Sequence, residues 1–208
     1  MTWKRAFSPI RNRAALRRLA RRFTRNRKGI AAVEFAMVLP AMLAIYFGIV
    51  EVAQGIMIDR KVTQLNRALA DLTAQAATIN TAERDNIFNA ATTVMAPFTG
   101  VAPQMRITSV VIDANRVAKV CWSEALNTAP LARNAEVTLP DDLRIANTSL
   151  IVARSSYAFT PTVGHLITGG AIDIGNSDIY MRPRLGKIGG TGSVEQVERA
   201  GVAMCPPF

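Results

Sequence analysis

Few side chains in this sequence are placed to do chemistry, and the first is Glu34. It stands five residues after Gly29 in NRKGIAAVEFAMVLPAMLAIYFGIVEVAQG, residues 26–55, and no other charge falls between Lys28 and Glu51. A carboxylate in an apolar helix costs about 3 kcal/mol at a bilayer centre and less near an edge, so such groups usually have a partner. If the chain is cut after Gly29, Ile30 becomes the new N-terminus. Its ammonium then lies within one or two helical turns of Glu34, which can pair with it, or with that of an adjacent subunit, in low dielectric. Glu34 also complements the positive end of the helix dipole.

The other candidates are weaker. Cys121 and Cys205 have no CxxC partner, and His165 is the single histidine, so a structural zinc site lacks ligands. Outside the cytoplasm one such pair reads as a disulfide; two separate buried thiols are the other reading. There is no G-x-S-x-G, no H-E-x-x-H and no Walker lysine. GGTGSVEQ, Gly189 to Gln196, has neither the strand nor the lysine of a phosphate loop and reads as linker. His165 reads as a surface or packing residue in a turn. Arg182 and Arg184 around Pro183 could meet an acidic partner, with a solvated strand end the blander reading. No catalytic residue, cofactor or metal is expected.

The net charge of +10 is unevenly spread. Residues 1–29 hold eleven of the 25 Lys and Arg and no acid, leaving fourteen basic residues against the fifteen acidic ones. A neutral body argues against nucleic acid as a partner, because phosphate attraction needs a persistent basic face. Phe35 to Val50 is sixteen residues without a charge. With Ile30 to Glu34 ahead of it, the stretch reaches the roughly 20 residues that cross a bilayer. The leader charges hold its N-terminal side in the cytoplasm, so the chain after Glu51 lies outside. The apolar run is too long for a cleaved secretory signal, and no small-x-small site follows it. A mitochondrial presequence is another reading of the leader, whose Leu16, Leu19 and Phe23 share a helical face, but it leaves Glu34 unexplained.

Beyond the span, Ile58, Val62, Leu65, Leu69, Leu72, Ala76 and Ile79 recur at spacings of 4 and 3. This stripe predicts that the helix continues, near 50 residues in all, with one face packed on its own domain or on a partner helix. Pro40 should kink it. Asn80 followed by Glu83 signals the cap of a second helix, about Thr81 to Met95. The period then changes to that of strands: QMRITSVVID and RVAKVCWSEA joined at Asp113–Asn115, SLIVARSSYAFTP, and AIDIGNSDIYMRPR broken near Gly175-Asn176. Ala125 to Asn147 reads mostly as loop. The expected fold is therefore α+β: a long N-terminal transmembrane and amphipathic helix packed on a small antiparallel sheet. The expected divisions are a leader (1–29), a span (30–55), an extracytoplasmic domain (56–186) and a Gly-rich tail (187–208).

Gly29, four residues, then Glu34-Phe35 resembles the processing site of type IV prepilins and pseudopilins. The longer GIAAVEFAMVLPAMLAIYFGIVEVAQ resembles the TadE-like family of pilus-assembly pseudopilins, with Gly29, Ala32, Val33, Glu34, Phe35, Pro40 and Glu51 all in the expected places. YAFTP and MRPR resemble pieces that recur later in such proteins. The resemblance implies a pilin-like fold and cleavage between Gly29 and Ile30 by a prepilin peptidase. It also implies assembly contacts through Glu34 and Phe35. The implied function is a structural, non-catalytic minor pilin or pseudopilin of a Tad-type (Flp) adhesion pilus. Its partners would be other Tad subunits, inner-membrane platform proteins and membrane lipid. It would sit once through the bacterial inner membrane with its N-terminus cytoplasmic. A membrane-anchored extracytoplasmic ligand-binding or enzymatic domain is the alternative, and a DNA-uptake pseudopilin a third, disfavoured by the neutral body.

Overall fold

The computed structural model describes Arg17 and residues 29–208. The leader expected over 1–29, with its helical face of Leu16, Leu19 and Phe23, lies outside the described residues except at Arg17 and Gly29. The chain divides into two compact units between Ile49 and Val50. Helix α1, Ile30–Gln75, is 46 residues long and contains Pro40 without ending there.

In the first unit the helix is apolar on every side and buries nothing: Phe35, Met37, Ile45 and Ile49 are all exposed. An all-round apolar helix that is exposed needs a non-aqueous surround, and α1 is long and apolar enough to cross a membrane.

The second unit begins where the composition turns amphipathic. From Ile58 onward, Ile58, Val62, Leu65 and Leu69 of the stripe are buried, and Leu72 and Ala76 are partly so. Asn66, Ala70, Thr73 and Ala74 widen the buried face. Short strand β1, Thr78–Ile79, follows, and then α2, Thr81–Thr92. Its N-cap is Asn80, whose side-chain oxygen accepts from the Glu83 N–H at 2.8 Å, as the capping signal predicts. The expected end at Met95 is met by a 3₁₀ turn, Thr93–Met95, ahead of Pro97.

The sheet consists of β2 (Gln104–Ile112), β3 (Ala118–Leu126), β4 (Thr148–Phe159) and β5 (Ile172–Met181), in the order β3-β2-β4-β5 and antiparallel throughout. The β2–β3 connection is longer than expected. Asp113 Oδ1 accepts from the N–H groups of both Asn115 and Val117, so the turn runs on to Val117. The break expected near Gly175-Asn176 is a register shift opposite Arg154–Ser156, with β5 continuing through it. Between β4 and β5 lies a single helical turn, α3, His165–Thr168.

Alternation along the strands divides two cores. Met105, Ile107 and Val111 of β2, with Ile151, Ala153 and Tyr157 of β4, join the α1 stripe and Phe88 of α2. Val110, Ile112, Leu150 and Val152 face the other way, under Leu139 and Val137 of the loop between β3 and β4. That loop contains one 3₁₀ turn, Asp141–Leu143.

The C-terminal segment corrects one expectation. GGTGSVEQ is no linker: β6 (Lys187–Gly189) and β7 (Val194–Gln196) form a hairpin, and β8 (Glu198–Arg199) runs parallel to β1. Val194, Val197 and Cys205 enter the α1-side core. The glycines that suggested a linker serve the hairpin turn, where Gly190 and Gly192 adopt positive φ.

Candidate functional site: the N-terminal helix and its supports

Gly29 and Ile30 stand at the start of α1, and a side chain added at Gly29 would meet nothing within 4 Å. Ile30 and Glu34 are one turn apart, so they share a helix face with Cβ atoms about 5–6 Å apart. Glu34 and Phe35 are both exposed, and Glu34 makes no ion pair among the described residues. In the uncut chain the nitrogen of Ile30 is a peptide N–H. The ammonium that would answer Glu34 exists only after cleavage or on another subunit.

Glu51, the next acid on α1, has a use that the sequence did not disclose. Its carboxylate accepts from the backbone N–H of Val163 at 2.5 Å and of Gly164 at 2.8 Å. The sequence places Glu51 near the outer end of the apolar span; the structure makes it the group that ties the β4–α3 turn to α1. No local pattern signals a contact made across 112 residues. An added Cβ at Gly164 would approach Glu51 Oε2 at 2.8 Å, so a larger residue there would push the carboxylate aside. His165 is exposed and donates from Nδ1 to the Thr162 carbonyl at 2.8 Å, a turn contact.

Cys121 and Cys205 are joined, with Cα atoms 5.8 Å apart and a sequence separation of 84. A bulge makes this possible. Ser109 faces Trp122 and Val110 faces Val120, which leaves Cys121 as the extra residue of β3. Both Cys121 and Trp122 therefore enter the α1-side core, where strict alternation would send one of them away. Trp122 donates to the Val197 carbonyl at 2.8 Å. The buried Gln196 holds the Cys205 backbone from both sides, accepting its N–H at 3.0 Å and donating to its carbonyl at 2.6 Å.

Charged contacts complete the frame. Glu124 of β3 receives Arg199 of β8 at 2.7 Å and Arg84 of α2 at 3.3 Å. Hydrogen bonds that Arg84 donates to Asp85, and then to Glu124, raise its pKa and keep it charged. Arg184, considered above for an acidic partner, finds one within the chain: it pairs with Asp71 of α1 at 2.7 Å, while Arg182 stays exposed. Among the described residues, no group of three or more His, Cys, Asp and Glu side chains could hold a metal ion.

Residues 29–78 match the family model described as TadE-like protein, from the glycine before α1 to the first residue of β1. No curated protein and no solved structure matches the chain. The match takes in all of α1 and the motif residues Gly29, Glu34, Phe35, Pro40 and Glu51, and is consistent with a Tad pilus protein. Over residues 29–78, about a quarter of its length, the chain is similar to the TadE-like family.

Proposed function

We propose that this protein is a minor pilin or pseudopilin that takes part in assembling a Tad-type adhesion pilus, with a structural rather than catalytic role. The observation that carries the reading is the exposed apolar stretch at the start of α1, interrupted only by Glu34, within the TadE-like match. In this reading residues 30–55 span the bacterial inner membrane. The basic leader stays in the cytoplasm, and the sheet domain and its disulfide lie in the oxidising space outside. A prepilin peptidase cuts between Gly29 and Ile30. The freed ammonium of Ile30, or that of the adjacent subunit, pairs with Glu34 as neighbouring apolar helices pack, and Phe35 lies in the same contact. The pair forms only as helices come together, where low dielectric strengthens it.

N-terminal sequencing of protein extracted from native membranes tests the processing step; an intact leader removes it. Glu34→Ala tests docking. Membrane insertion and cleavage should persist, because leader, apolar run and Gly29 remain, while pilus number falls sharply. Equal piliation at matched protein levels would show that Glu34 is not the docking group.

A further inference from the structure

On the sheet face turned away from α1, β2 and β4 place Arg106 directly opposite Arg154 in register. Like charges opposed across strands are destabilising unless something answers them. Arg154 is answered by a two-pronged contact with Asp178 of β5, both bonds 2.6 Å. Arg106 is partly buried and makes no ion pair among the described residues. An arginine stays protonated under such conditions, so its charge remains to be met.

Arg106 borders a cleft of about 130 Å³ that Gln104, Thr128, Arg154 and Ser156 also line. Ser156 Oγ donates to Gln104 Oε1 at 3.5 Å, which leaves the Gln104 amide group as a donor beside the guanidinium. Glu136 and Asp178 line a neighbouring cleft that the two arginines also border, whereas this one is lined by no acid. The space is large enough for a carboxylate or phosphate group. Burial first, and then Arg154, lower the Arg106 pKa, and Asp178 offsets part of that shift.

We propose that this cleft binds a single carboxylate- or phosphate-type oxyanion, with Arg106 as its principal ligand and Gln104 and Thr128 as supporting donors. The planar fork of an arginine matches two oxygens of such a group. The proposal is independent of the pilus reading and would stand or fall without it.

The test uses the full chain in non-ionic detergent, with the backbone amide resonances of Thr128 and Ser156 as reporters. Sodium acetate, inorganic phosphate, the peptide acetyl-Gly-Glu-Gly-amide and its Gln counterpart are each titrated at constant ionic strength. Wild type should show saturable shifts. Arg106→Gln should weaken them roughly tenfold or more, with Arg106→Lys between, as loss of a charge-assisted bond requires. Tighter binding of the Glu peptide than of acetate, with none by the Gln peptide, identifies a protein side chain as the source. Acetate or phosphate binding at least as tightly identifies a free oxyanion. Arg106→Gln should melt no lower than wild type without added anion, since it removes an opposed charge, so loss of binding cannot be assigned to unfolding. Identical titrations in wild type and Arg106→Gln, or no saturable shift with any of the four probes, would overturn the proposal.

Discussion

Removing the disulfide with Cys121→Ala and Cys205→Ala together should cost the folded unit several kcal/mol while leaving its fold intact. The crosslink spans 84 residues. The chain-entropy relation assigns a loop of that length about 4.5 kcal/mol at 25 °C, acting by restricting the unfolded chain. For a unit the size of Val50–Phe208, each kcal/mol moves Tm by about 2–4 °C, so the expected drop is roughly 9–18 °C. The native tail should stay docked. Gln196 still holds the residue-205 backbone through its N–H and carbonyl, Trp122 still reaches the Val197 carbonyl, and β8 still pairs with β1. Alanine is preferred to serine because both sulfurs are buried, at 1% and 0% exposure, and a hydroxyl there would need a partner. The assay is thermal unfolding of wild type and double variant, each with and without reductant. Reductant should lower only the wild type, to the value of the variant. If both cysteines of denatured, unreduced wild type from its native host alkylate freely, or if reductant leaves Tm unchanged, the reasoning fails.

Four further outcomes are expected. Leu69→Ala, at a fully buried stripe position, should destabilise the folded unit by about 3 kcal/mol in denaturant unfolding. Leu43→Ala, at an exposed position of the apolar stretch, should change the same transition by less than about 0.5 kcal/mol. Glu198 is held below its ordinary value of 4.5, chiefly by the Lys187 ammonium and then by the Thr78 hydroxyl. A folded pKa below the unfolded one adds stability that is complete above about pH 4.5 and is lost as pH falls through the lower folded value. Lys187→Ala should flatten that part of an acid-unfolding curve, and an unchanged curve would exclude Glu198 as its source. Glu51→Ala should speed hydrogen exchange at the Val163 and Gly164 amides but not at Ile151, because only the first two donate to its carboxylate. Uniform acceleration would show that Glu51 does more than hold this turn.

What the sequence determined is whatever rests on neighbours along the chain. The uncharged run and the 4-3 stripe predict α1 because helical period depends only on spacing, and the two patterns separate its bare half from its buried half. Asn80 with Glu83 predicts the start of α2 for the same reason, and alternation predicts the four main strands. Gly29 and Glu34 could be singled out because their chemistry is one turn of one helix. Tertiary structure alone decided the rest. Glu51 meets its amides, Arg106 faces Arg154, and Gln196 clasps Cys205 only once the strands have come into register. The tail read as linker because its glycines signal freedom locally, while the burial of Val194 and Val197 depends on a core built by α1 and β3. Cys121 points at Cys205 through a one-residue bulge, and a bulge arises from pairing two strands, which neither strand's own sequence displays.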